Sequence, residues 1–167
     1  MNTRYLGSAA LSALLWLTQA AKAADEAQSA ERIEHGHYLA KVSGCNDCHT
    51  PGYLQDEGKV PEDQWLTGSS VGFQGPWGTT YPANLRLFVR GLSEAQWLKR
   101  VREPMRPPMP WFNLSAMTDR DLEDLYRFIR ALGPAGEPGR EAVAPGVAVN
   151  TPFFDFVPKN PPALAHR

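Results

Sequence analysis

Cysteine is almost missing from this chain, with two residues in 167. Two thiols cannot make a disulfide framework, so a small stapled fold is excluded and the pair reads as a site. An excess of charge of either sign is missing too. Seventeen basic residues face 18 acidic ones, a formal net charge of −1 that gives nucleic acid no footing. Beyond the N-terminus no run approaches the ~20 apolar residues that a membrane-spanning helix needs. Hydrophobic residues at 43% and charged residues at 21% exclude a disordered chain, and the length fits one domain.

Residues 1–23 read as an export signal. Arg4 supplies the positive start, residues 8–17 are uncharged and mostly apolar, and Ala21-Lys22-Ala23 fits a small-x-small cleavage site. The mature chain is expected to start at Ala24 or Asp25. Without Arg4 and Lys22, 15 basic residues face 18 acidic ones, a net charge of −3. The expected product is a soluble protein outside the cytoplasm with no transmembrane segment.

Three stretches carry helical periodicity. Residues 25–43 repeat small and apolar side chains at three- and four-residue spacing, with Gly36 in the middle; glycine costs a helix ~1 kcal/mol against alanine. A close helix crossing explains such a residue. Ser93 with Gln96 makes a capping-box pattern before Trp97, Leu98 and Val101, and Pro104 stops that helix. Thr118 caps the clearest helix. Leu122, Leu125, Tyr126, Ile129 and Leu132 form its apolar stripe, and Gly133-Pro134 ends it.

Residues 50–90 show no sustained period and are expected to form ordered loop, because Trp65, Phe73, Trp77 and Tyr81 need an apolar surface to cover. Seven prolines and four glycines fall within residues 133–167, which predicts an extended tail. Phe153, Phe154 and Phe156 are expected to dock it. The chain divides into a signal (1–23), a folded domain (24–132) and a tail (133–167).

Both cysteines lie in Cys45-Asn46-Asp47-Cys48-His49. Cys-x-x-Cys-His is the pattern of covalent haem attachment. Thiols one helical turn apart can each add to a different vinyl group on one porphyrin edge, and the next histidine reaches the iron from one face. Cys45 and Cys48 are therefore expected to form thioethers, with His49 the proximal ligand of a single haem c. A thioredoxin-like redox pair wants a βαβ context that the flanks do not offer. A zinc site needs about four ligands, and only His35, His37 and His166 remain among the histidines.

A second axial ligand is most simply a methionine thioether. Met117, next to the Thr118 cap, is explained as a staple onto Leu122. Met109 has proline on both sides, which restricts it to a non-helical backbone able to present sulfur at small entropic cost. It is the preferred ligand, and Met105 is the alternative.

Gly36-x-Tyr38-Leu39 before the pentapeptide and Thr50, then Met109-Pro110, then the aspartate-bearing last helix together resemble class I cytochrome c. Residues 75–85, Gly75-Pro76-Trp77-Gly78 through Asn84-Leu85, resemble cytochromes associated with bacterial periplasmic dehydrogenases of alcohols or sugar acids. The resemblance covers about residues 33–132. It implies an all-α, cytochrome c-like fold of three to four helices around one covalent haem, with long ordered loops and the extended tail outside it. It also implies Cys45 and Cys48 as attachment points and His49 and Met109 as iron ligands. Met109 lies nine residues before Thr118 and Met105 thirteen; the nearer position matches the family pattern. A contact of Gly36 with Tyr126 or Phe128, where first and last helices cross, is implied as well. Many relatives carry several haem motifs, whereas this chain has one.

The expected function is periplasmic transfer of single electrons between a dehydrogenase and a downstream acceptor such as an oxidase, as carrier or haem subunit. No catalytic residues are expected, since no nucleophile–base pair, phosphate loop or distinctive carboxylate pair is present. The alternative is a haem enzyme or small-ligand sensor with an open or displaceable sixth site. Arg86, Arg90, Lys99, Arg100, Arg102 and Arg106 could steer an acidic redox partner or serve the haem propionates. Trp77, Tyr81 and Asn84 could line the pocket, and His35 and His37 are expected to be structural.

Overall fold

The computed structural model describes residues 6–160, with side chains from residue 18 onward. Arg4, His166 and the side chains of the 8–17 run lie outside the described residues. Helix α1 (Leu6–Val42) ends before Gly44, whose φ of +70° turns the chain into the short α2 (Cys45–His49). A hairpin follows, β1 (Gly72–Gly75) with β2 (Gly78–Thr80). Then come α3 (Leu85–Arg90), α4 (Glu94–Val101), α5 (Trp111–Ala116), α6 (Asp119–Ala131) and β3 (Phe153–Asp155).

The organising contact is α1 against α6. A Cβ on Gly36 would overlap the Asp124 backbone carbonyl and stand 2.7 Å from the Phe128 Cβ, so only glycine lets these helices approach so closely. The expected Gly36–Phe128 meeting is present. Tyr126 turns away and donates its hydroxyl to Leu92 O at 2.7 Å. Helix α6 carries the cap and stripe legible in its sequence: Thr118 Oγ1 accepts from Asp121 N, and Asp121 returns a bond to Thr118 N. Leu122, Leu125, Phe128 and Ile129 are buried, each stabilising the fold by roughly 1.5–3 kcal/mol through area removed from water. Helix α4 has its Ser93–Gln96 capping box, and Trp97 Nε1 donates to Leu122 O at 2.8 Å.

The all-α expectation is corrected. The fold is mostly helical, but it contains a three-stranded sheet in the order β2-β1-β3. Strands β1 and β2 pair antiparallel, with Phe73 opposite Thr80, while β1 and β3 pair parallel, with Phe73 opposite Phe154. The loop expected over residues 50–90 holds that hairpin and also α3, which Asn84 caps by accepting from Leu87 N at 3.0 Å. The helix count of three to four is corrected as well: α2, α3 and α5 join the three legible helices. None of the three exceeds six residues, too short to show a period.

The described part of the tail, residues 133–160, is extended and tied down. Val143 and Thr79 exchange backbone hydrogen bonds of 2.9 and 2.8 Å on the free side of β2. Phe154 and Phe156 pack on Phe73, and Phe156 also meets Trp77. Phe153, Phe154 and Phe156 still keep 43–47% of their surface exposed, so their docking is partial. Among the described residues no helix is long and apolar enough to cross a membrane.

Candidate functional site

Helix α2, the end of the hairpin, α4 and the segment before α5 enclose a cavity of about 530 Å³. That volume lies within the ~300–1,000 Å³ usual for small-molecule and cofactor sites. Cys45, Cys48 and His49 line it, and so do Met105, Met109 and Met117. Tyr81, Leu85, Val101, Leu125 and Ile129 contribute to walls that are mainly apolar.

Cys45 and Cys48 are not joined to each other in a disulfide. Burial, and then the Asp47 carboxylate, push the Cys45 thiol up to about 11; the same causes in the same order raise Cys48. Redox-active cysteines work as thiolates with lowered pKa, so this environment opposes a thioredoxin-like role. Among the described residues no group of three or more His, Cys, Asp or Glu is placed to hold a metal ion.

His49 is buried, and its Nδ1 lies 2.7 Å from Ala83 O. A carbonyl only accepts, so Nδ1 carries the hydrogen and Nε2 keeps a free lone pair. Burial lowers the His49 pKa, and the Ala83 bond opposes this only in part, which keeps the ring neutral. A neutral imidazole oriented through its other nitrogen is the form that ligates a metal.

The segment carrying the methionines is pinned to the hairpin, because Thr80 Oγ1 donates to Pro107 O at 2.6 Å. Met109 is held at both backbone groups: its N–H reaches Arg106 O at 3.2 Å, and its carbonyl accepts from Trp111 N at 2.8 Å. Met105 shares the cavity wall, and Met117 joins them in addition to flanking the α6 cap. Thr80 and the Ala83 carbonyl had no sequence signal. The first is one of several threonines, and the second acts through its backbone.

Arg86, Arg102, Asn84 and Trp77 are engaged elsewhere than in a docking ring or the pocket, whereas Tyr81, His35 and His37 are placed as expected. Arg86 is 6% exposed, with Nε donating to Gly133 O at 2.5 Å, Nη1 to Asp63 O at 2.6 Å and Nη2 to Leu132 O. It holds the C-terminal end of α6 and cannot belong to a docking ring. Arg102 is engaged by Ser115 O at 2.5 Å and Asp119 at 2.6 Å. Asn84 Nδ2 donates to the tail carbonyls of Ala135 and Glu137, and Trp77 Nε1 to Phe73 O. Tyr81 lines the cavity while its hydroxyl bonds Thr151 Oγ1 at 2.6 Å. His35 bonds Asp124 at 3.0 Å and His37 stacks on Trp65 at 5.2 Å, both structural roles.

Arg100 also lines the cavity, and its Nη1 is buried with no hydrogen-bond partner among the described residues. An unmet buried donor costs about 1–3 kcal/mol. An apolar slot with two thiols and a free imidazole nitrogen on one side, sulfur in the wall and a cation without an acceptor fits a haem.

The chain is 29% identical over 108 residues to the fructose dehydrogenase cytochrome subunit of Gluconobacter japonicus, covering 58% of this chain and 20% of the relative. It thus spans about a fifth of that relative's length. No family model matches the chain. No solved structure matches it. The mostly helical fold and this similarity agree with a cytochrome-like protein of electron-transfer type.

Proposed function

We propose that this chain is an exported, periplasmic cytochrome c with one covalent haem, transferring single electrons between a dehydrogenase and a downstream acceptor. The observation that carries the reading is the convergence of Cys45, Cys48, a neutral His49 and the methionine segment on one apolar cavity. Bound there, the haem supplies one-electron ferric/ferrous chemistry.

The chain's own residues do the rest. Cys45 and Cys48 would hold the porphyrin through thioethers, and the Ala83 carbonyl aims His49. Met109, braced by Arg106 O and Trp111 N, would give the iron a thioether ligand. A thioether ligand and dry walls favour the reduced state and raise the potential. Fixed ligands also keep reorganisation small. The name of the Gluconobacter relative supports a dehydrogenase as electron donor.

Absorption spectroscopy of holoprotein variants tests the ligand set. Met109→Ala should abolish the sulfur-to-iron band and open the reduced protein to carbon monoxide, while Met105→Ala keeps the band. Loss of the band in Met105→Ala alone reassigns the ligand. Fast stoichiometric carbon monoxide binding by the unaltered protein would instead favour an open-site enzyme or sensor.

A further inference from the structure

The arginines that serve this fold have their acceptors in place. Arg86 meets three carbonyls, and Arg32 meets the carboxylates of Glu123 and Asp124. Arg100 breaks that pattern. It makes no ion pair, and its buried Nη1 has no acceptor among the described residues. Arg127 also has one unpaired nitrogen, but its Nη2 reaches Glu94 at 3.2 Å and the residue does not line the cavity.

The position of Arg100 on its helix says what it faces. Trp97, Arg100 and Val101 recur at helical spacing on α4, and all three line the same cavity. Lys99, one position earlier, is exposed and lies outside the lining. The missing acceptor is therefore expected from the cavity's occupant, not from solvent. A guanidinium at the wall of an apolar slot selects a planar anion that accepts two parallel hydrogen bonds, which is a carboxylate.

We infer that Arg100 receives a propionate carboxylate of the bound haem, and that this pairing holds the propionate in place and raises the haem's potential. The inference rests on the function proposed above. Electrostatics give the sign. A propionate left unpaired would stabilise the more positive ferric state, whereas a propionate neutralised by Arg100 does not. Arg100 is thus a positioning residue, acting on the iron through the carboxylate.

The test uses matured holoprotein in four forms: unaltered, Arg100→Gln, Arg100→Lys and Lys99→Gln. Intact mass first establishes the haem adduct, and redox titration at fixed pH and ionic strength then gives each midpoint. Arg100→Gln should shift to lower potential and Arg100→Lys should fall between it and the unaltered protein. Lys99→Gln, which removes the same charge from an exposed position, should stay at the unaltered value. If Arg100→Gln does not mature, the comparison of Arg100→Lys with Lys99→Gln decides: a lowered midpoint only in the former supports the pairing. Arg100 variants that titrate like the unaltered protein, or a Lys99→Gln shift as large as theirs, overturn it. A bare-polypeptide mass for the unaltered protein overturns the underlying functional reading instead.

Discussion

His49 Nδ1 sits 2.7 Å from the Ala83 carbonyl, one residue before Asn84, the cap of α3. The orientation of the imidazole is thus tied to the start of a helix that α6 and the tail hold from behind. His49→Ala should leave both thioether positions available but remove the proximal nitrogen. The expected outcome is a protein that still carries covalent haem, has lost its six-coordinate spectrum, and regains it when free imidazole is added. A six-coordinate spectrum that survives without imidazole would take His49 out of the ligand set.

Gly36 sets the α1–α6 crossing. Alanine would add ~1 kcal/mol of helix propensity, but its methyl would meet the Asp124 carbonyl and the Phe128 Cβ. Overpacking of this kind costs about 1–3 kcal/mol, more where backbone cannot yield. Gly36→Ala should therefore lower stability in thermal or denaturant unfolding despite the better helix former. An unchanged or raised midpoint would show that the helices can separate freely.

Asp124, buried on α6, is held by Arg32 and His35 from α1, with Arg120 nearby at 3.9 Å. Burial, the largest influence, pushes its carboxyl up. The His35 and Arg32 bonds and the charges of Arg32 and Arg120 outweigh that and hold it below the usual carboxylate range. A depressed folded pKa means stability that is fully present above the unfolded value of ~3.9 and is lost as pH falls through the folded value. Asp124→Asn should cost about 3 kcal/mol at neutral pH, by analogy with breaking a buried pair, and should flatten the acid limb of the stability profile. Parallel acid limbs in variant and parent would remove Asp124 from the acid response.

Arg86 joins the end of α6 to the loop at Asp63 through carbonyls alone. Arg86→Met keeps much of the bulk and abandons those acceptors, at about 2 kcal/mol. The tail beyond Gly133 should loosen, so trypsin should cut at Arg140 faster than in the parent. Equal cleavage rates would mean that the Asn84 and Val143 contacts suffice to hold it.

What could be read from the sequence was what is local. The Thr118 cap, the α6 stripe and Gly133 all lie within one stretch, and the same holds for Ser93 with Gln96. The candidate pentapeptide is likewise contiguous, and the cavity gathers the three of its residues that were singled out. The sheet was hidden because its strands have three or four residues, two of the four in β1 being glycine, and because β3 pairs with β1 across some eighty positions. Arg86 looked like one more surface cation among its neighbours. Its acceptors at Leu132 and Gly133 lie 46 and 47 residues away, which only the folded chain reveals. Proline spacing singled out Met109, yet three methionines reach the cavity, so the ligand must be distinguished by experiment.

The most direct test of the central claim is the intact mass of protein exported from a host with haem-maturation machinery. The account predicts one haem added per chain, resistant to acid-organic extraction and absent from the Cys45→Ala/Cys48→Ala double variant. A bare polypeptide with two titratable thiols, from a host that matures other c-type cytochromes, would contradict it.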